Sequence, residues 1–123
     1  MSVTQRRGVL ALAIVATAAV VALSLGNAPQ LGGGLLDFAG SDKLKHATAY
    51  LTLAVLWGLW LATTTGGLRA GALFAALFAL GALLEGLQWG FYPERFFELA
   101  DMLANGVGAG LGLLIVRRKF PSP

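Results

Sequence analysis

Ionisable and amide side chains stand at helical spacing in three separate stretches of this chain. In the first stretch, Lys43, His46 and Tyr50 follow i, i+3, i+7 spacing, which predicts that they share one face of a helix. In the second, Glu85 and Gln88 are three residues apart and share a face in the same way. The third stretch repeats the i, i+3, i+7 pattern directly after an arginine, with the residues Arg95, Glu98, Asp101 and Asn105.

These residue types suit binding better than turnover. Lys43, Arg95 and a protonated His46 would bind an anionic head group such as a phosphate or a carboxylate. One histidine with two or three carboxylates could also hold a metal ion or act as general acid and base. A second histidine is lacking, however, and no HExxH, Ser-His-Asp or phosphate-loop pattern occurs. We therefore predict no metal and no cofactor, and keep His46 and Glu85 as catalytic candidates only if the chain is an enzyme.

The composition indicates which solvent surrounds these residues. Of the 123 residues, 57% are hydrophobic and only 12% are charged, whereas soluble domains are about one quarter charged. A soluble chain this short would not bury so much apolar surface in one core, so lipid is expected to take up the excess. The chain has no cysteine, which excludes disulfides and thiol chemistry. The net charge of +3 is too small to indicate a nucleic-acid partner.

Four apolar runs are long enough to position the polar stripes as transmembrane helices. We predict helices at about residues 8–25, 43–64, 70–91 and 97–116, in a single all-α domain that forms an integral membrane four-helix bundle. Arg6 and Arg7 precede the first run, as in a signal peptide. That run is long for a signal peptide, and Asn27-Ala28-Pro29 is a poor cleavage site, so a retained helix is favoured.

The distribution of lysine and arginine over alternate loops predicts the orientation of the bundle. One side carries Arg6, Arg7, Arg69, Arg117, Arg118 and Lys119, and the other carries Lys43, Lys45 and Arg95. Both termini are therefore predicted to be cytoplasmic, in a multi-pass protein of the bacterial cytoplasmic membrane. All the acidic residues lie towards the outer side in this arrangement.

The three polar stripes are expected to meet inside the bundle, because polar groups exposed to lipid are penalised. We predict one shared polar pocket that opens to the outer leaflet. Its lining is predicted to be Lys43, His46, Tyr50, Glu85, Gln88, Arg95, Asp101 and Asn105.

The same residues also have a purely structural interpretation. Arg95 paired with Asp101 or Glu85, and His46 paired with Asp42, would simply satisfy buried polar groups between helices. Interhelical hydrogen bonds in membranes contribute only about 0.6 kcal/mol on average, so stability alone is a weak reason for so many. We favour function for Glu85, the deepest charge, and a solvated rim for Asp42.

Four glycines of the last helix form two overlapping GxxxG pairs, Gly106 with Gly110 and Gly108 with Gly112. Such pairs allow a second helix to approach closely. With only four spans in the chain, internal packing is the favoured use, and oligomerisation through these glycines is the alternative.

The order of these motifs resembles the VanZ-like family of small bacterial membrane proteins. The resemblance is carried by Asp42-Lys43-Leu44-Lys45-His46 with Tyr50, by Glu85-Gly86-Leu87-Gln88, by Pro93-Glu94-Arg95, and by Asp101-Met102-Leu103-Ala104-Asn105 with Gly108 and Gly112. It covers about residues 40 to 116, and the first helix matches only as a generic apolar span. The name-giving member is associated with low-level teicoplanin resistance, a phenotype that the resemblance does not extend to this chain.

Three functional hypotheses follow from these patterns. The leading one is a cell-envelope binding or accessory protein that engages an anionic lipid head group or a lipid-linked envelope precursor. The second is a membrane-embedded lipid hydrolase or transferase that uses His46 and Glu85 as acid and base. The third is a structural bundle or assembly partner, in which the polar residues serve packing alone.

Overall fold

A computed structural model describes residues 1–26, 41–91 and 99–121, and these residues form four α-helices. The helices are α1 (Val3–Leu25), α2 (Ser41–Thr65), α3 (Ala70–Phe91) and α4 (Leu99–Lys119). Each is long and apolar enough to cross a membrane. The described residues contain helices without any strand, which confirms the predicted all-α class.

The prediction that α1 begins at Gly8 was wrong by five residues, because a polar first turn precedes the apolar run. The Ser2 hydroxyl accepts a hydrogen bond from the Gln5 amide, and the Gln5 side chain accepts one from the Ser2 amide. This capping box satisfies two amides that have no partner inside the helix, so the helix can begin at Val3. The sequence analysis used hydrophobicity to place the boundary and so missed the polar turn.

The other described boundaries lie close to their predictions. The ends of α2 differ by one or two residues, and α3 has the predicted bounds. The end of α4 lies three residues beyond the predicted 116, since Arg117, Arg118 and Lys119 form its last turn. Basic side chains in that turn interact favourably with the negative end of the helix dipole. The predicted start of this helix, near residue 97, lies outside the described residues.

The connection between α2 and α3 is short and turns tightly. Gly66 follows the last residue of α2 with φ of 76°, a left-handed conformation that glycine adopts without steric cost. Leu68 is buried in the core, and α3 begins two residues later. The two helices therefore form a hairpin that is anchored at its turn.

Helices α2 and α4 run parallel and pack against each other more extensively than any other pair. Gly108 and Gly112 of α4 lie against the backbone carbonyls of Ala47 and Leu51 in α2. A side chain at either glycine would clash with these atoms, so the absence of a Cβ is what permits the close approach. The glycine pair thus serves packing within the chain, which was the favoured prediction.

Helix α1 lies at the edge of this core and is held by three polar contacts. The Arg6 guanidinium donates to the Thr63 carbonyl, and the Trp57 indole donates to the Thr17 hydroxyl. At the other end, the Gln88 amide donates to the carbonyl of Ser24 at 2.6 Å. Only Ala13 of α1 is buried, and its large apolar side chains, including Leu12 and Val15, are exposed. The two ends of the bundle thus differ, with arginines at one and the polar stripes at the other.

Candidate functional site

A polar cluster joins the N-terminal ends of α2 and α4. The Lys43 ammonium contacts the Asp101 carboxylate at 2.5 Å and the neighbouring Asp42 carboxylate at 3.1 Å. One turn further along both helices, His46 Nδ1 lies 2.9 Å from Asn105 Oδ1. These five residues, Asp42, Lys43, His46, Asp101 and Asn105, are called the α2–α4 cluster below.

The contact with Asn105 fixes the orientation of the His46 ring. An amide oxygen can only accept a hydrogen bond, so His46 Nδ1 must carry a proton and donate it. In the neutral ring, Nε2 then holds the lone pair. Nε2 faces Asp101 Oδ2 at 3.6 Å and Asp42 Oδ1 at 3.9 Å. Lys43 binds the other oxygen of each carboxylate, so the cluster surrounds a small space with Nε2 on one side.

Exposure falls steadily through the cluster from its rim to its floor. The Asp42 side chain is 65% exposed, Lys43 is 37% exposed, and His46 is 22% exposed. The Asp101 side chain is only 10% exposed, and Asn105 is fully buried. The cluster is therefore open at the end of the bundle and closed towards its centre. Asp42 lies at the rim, as its sequence position predicted.

A second polar layer lies beneath the cluster, where α3 meets α2 and α4. Tyr50 and Glu85 are both buried, and the Glu85 carboxylate is close enough to influence the Tyr50 hydroxyl electrostatically. Gly81 of α3 provides the space for this layer. A Cβ on Gly81 would lie 2.6 Å from Asn105 Nδ2 and 3.2 Å from Tyr50 Oη. Asn105 and Tyr50 thus both lie beside Gly81, so Asn105 borders this layer as well as the cluster.

The eight predicted pocket residues fall into three groups. Lys43, His46, Asp101 and Asn105 lie together in the α2–α4 cluster, and Tyr50 and Glu85 lie below it. Gln88 reaches the Ser24 carbonyl and so ties α3 to α1. Arg95, like Glu94 and Glu98, lies outside the described residues. Among the described residues, Asp101 pairs with Lys43 through one carboxylate oxygen, and His46 Nε2 lies 3.6 Å from the other.

Sequence reasoning missed the role of Gly81. Its signal was present, because a glycine four residues before Glu85 stands on the same face of α3. A glycine inside a helix costs about 1 kcal/mol relative to alanine, so it usually has a packing reason. The polar layer gives that reason here.

Comparison of the chain with protein-family models, with curated proteins and with solved structures gave no match. The fold and the candidate site are therefore described from this chain alone. Residues 1–26, 41–91 and 99–121 form four helices able to span a membrane, with a polar cluster between two of them.

Proposed function

We propose that this chain is an integral protein of the bacterial cytoplasmic membrane, of the VanZ-like type, with both termini in the cytoplasm. The large apolar side chains exposed on all four helices support a lipid environment. The orientation is supported by arginine at the end where α1 begins and α4 ends, following the positive-inside rule. In this orientation the α2–α4 cluster faces the outer leaflet.

The proposed function is the binding of an anionic lipid head group, either of a membrane lipid or of a lipid-linked envelope precursor. The observation that carries the proposal is the graded exposure of the cluster, from Asp42 at the rim to Asn105 at the floor. The cluster is exposed at Asp42 and buried at Asn105, where a hydrogen bond with His46 holds the side chain in place. This arrangement resembles a ligand-binding site whose buried part is formed before the ligand binds.

The charges of the described residues limit how an anion can bind there. Lys43 is already held between Asp42 and Asp101, so its charge is largely neutralised. Glu85 adds a further acidic group below. A phosphate would therefore require positive charge in addition to Lys43. A protonated His46 and Arg95 are the candidates within this chain.

The proposal is tested by measuring which lipids the purified protein retains. Detergent-solubilised protein is titrated with phosphatidylglycerol or phosphatidylcholine and analysed by native mass spectrometry. We expect phosphatidylglycerol to be retained preferentially, and the preference to be lost in Arg95→Ala and Glu85→Gln at normal membrane abundance. Arg117→Ala is the matched control, since it removes one arginine from the opposite end of the bundle. Equal retention of both lipids by the wild-type protein would refute the proposal.

The alternative function is a lipid hydrolase or transferase that uses His46 and Glu85. It is favoured by one observation, the position of His46 Nε2 near the Asp101 and Asp42 carboxylates while Nδ1 is held by Asn105. An imidazole held in this way could act as a general base. Release of phosphate from a lipid phosphate by the purified protein, lost in His46→Ala, would establish catalysis in place of binding alone.

A further inference from the structure

We propose that Asp42, His46 and Asp101 form a binding site for one divalent transition-metal ion, with Zn²⁺ or Mn²⁺ as the ions that suit it best. The sequence analysis did not predict a metal, because the chain has a single histidine. The structure instead unites that histidine with carboxylates from two helices.

The distances within the cluster fit a common ion. One nitrogen or oxygen atom of each residue lies within 4.8 Å of the other two. His46 Nε2 is 3.6 Å from Asp101 Oδ2 and 3.9 Å from Asp42 Oδ1. Both distances are too long for a hydrogen bond. Ligand atoms about 2.0–2.2 Å from a tetrahedral ion lie roughly 3.4 Å apart, so the three side chains would have to move closer together by up to about 1.4 Å.

The surroundings of His46 are those of a metal ligand. A ligating imidazole almost always donates its other ring nitrogen to a carbonyl or carboxylate oxygen, which fixes the tautomer. Asn105 Oδ1 accepts from Nδ1 in this way, and Asn105 itself is buried. The lone pair of Nε2 is thus directed at the two carboxylates. An imidazole with two carboxylates suits Zn²⁺ or Mn²⁺, because imidazole favours zinc and carboxylate favours manganese.

Lys43 provides a means to distinguish a metal site from a cluster of ion pairs. Its ammonium neutralises the same two carboxylates that would bind the ion. A positive charge at this position opposes a divalent cation, so removing it should strengthen metal binding. The exposed Asp42 side chain leaves a path by which an ion can enter.

The test is a metal titration of the full chain in detergent, purified without a polyhistidine tag and treated with a chelator. We expect one Zn²⁺ or Mn²⁺ per chain by isothermal titration calorimetry. Asp101→Asn and His46→Ala should lower the affinity at least 100-fold, and Asp42→Asn at least tenfold. Lys43→Met should raise it at least fivefold, and the exposed neighbour Lys45→Ala should leave it unchanged.

Two results would overturn the metal site. One is the absence of stoichiometric binding in both the wild-type protein and Lys43→Met. The other is unchanged affinity in Asp42→Asn, whose exposed side chain makes this variant the one best able to fold. The wild-type titration needs no variant, so a failure of Asp101→Asn or His46→Ala to fold does not prevent refutation.

A bound ion would also provide the positive charge that a head-group phosphate requires, and this extension rests on the proposed function. The lipid titration, repeated with and without a chelator, separates the two proposals. Loss of the phosphatidylglycerol preference in chelator supports bridging by the ion. A preference that persists in chelator refutes bridging and leaves the lipid function intact. Metal binding without any lipid preference refutes the lipid function and leaves the metal site intact.

Discussion

Replacing Gly108 by alanine tests whether the contact between α2 and α4 depends on the missing side chain. A Cβ at Gly108 would overlap the Ala47 carbonyl, and one at Gly112 would lie only 2.6 Å from the Leu51 carbonyl oxygen. Ordinary van der Waals contact begins at 3.4 Å. The obstructing atoms belong to the backbone, so they cannot rotate away as a side chain can. The shortfall is about 0.8 Å at Gly112 and larger at Gly108, so in Gly108→Ala the two helices must separate by more than 0.8 Å.

Gly110→Ala is the matched control on the same helix, because no atom of another described helix lies within 4 Å of the position its Cβ would occupy. The gain in helix propensity, up to about 1 kcal/mol, should be the same in both variants. Overpacking costs about 1–3 kcal/mol and applies only to Gly108→Ala. We expect Gly108→Ala to lower the free energy of unfolding by about 1–2 kcal/mol, and Gly110→Ala to raise it slightly.

The measurement is reversible unfolding in mixed micelles as the fraction of sodium dodecyl sulfate is raised, followed by tryptophan fluorescence. Both variants replace a glycine by alanine, so the change affects the unfolded chain alike in both. This effect largely cancels when their free energies of unfolding are compared. Equal stability of the two variants would refute the close-contact explanation. A shift in oligomeric state of Gly110→Ala, with unchanged monomer stability, would instead support the alternative that these glycines mediate self-association.

Two further predictions concern the contacts of α3 and α1. Gly81→Ala should lower the free energy of unfolding by about 1–3 kcal/mol, because its Cβ would meet Asn105 Nδ2 at 2.6 Å. Gly86→Ala on the same helix places its Cβ in open space and should not lower the free energy of unfolding. Equal stability of these two variants in the same unfolding assay would contradict this account of the polar layer. The hydrogen bond from Trp57 to Thr17 should give a coupling energy of about 0.6 kcal/mol in a double-mutant cycle with Trp57→Phe and Thr17→Val. The cycle is measured by the same unfolding assay. A coupling energy of zero would show that the contact adds no stability.

Helical spacing alone could predict much of the candidate site. Lys43 and His46 lie on the face of α2 that meets α4, with Asp101 and Asn105 opposite, and Tyr50 of the same stripe lies near Gly81 of α3. The lengths of the apolar runs likewise predicted the four described helices, and both ends of α2 and α3 lie within two residues of their predictions. These features could be predicted because they depend on local periodicity and on the penalty for exposing polar groups to lipid.

The remaining contacts depend on how the helices are arranged around each other. Gln88 shares a face with Glu85, yet its amide reaches the Ser24 carbonyl because α1 ends beside it. Nothing in the spacing within α3 specifies that neighbour. The ion pair between Lys43 and Asp101 was also not predicted, because the structural interpretation considered Asp101 only as one of two partners for Arg95, with Glu85 as the other. Pairing across helices requires their relative rotation and depth, which sequence periodicity does not contain.

The glycine contact and the polar cluster depend on the same interface. Asp101, Asn105, Gly108 and Gly112 follow spacings of four, three and four, which places them along one line of α4. Gly108 brings the α4 backbone against Ala47, the residue next to His46, and Gly112 brings it against Leu51 one turn further along. Backbone contact of this kind leaves little freedom for the two helices to slide or separate. The distances from His46 to Asp101 and Asn105 are therefore set by the packing of α2 against α4 rather than by the polar groups themselves. A site held in this way can keep the Asp42 and Asp101 carboxylates close together before any ligand binds. Selectivity for the ion or head group would then follow from a fixed geometry, and Gly108→Ala should weaken ligand binding along with the fold.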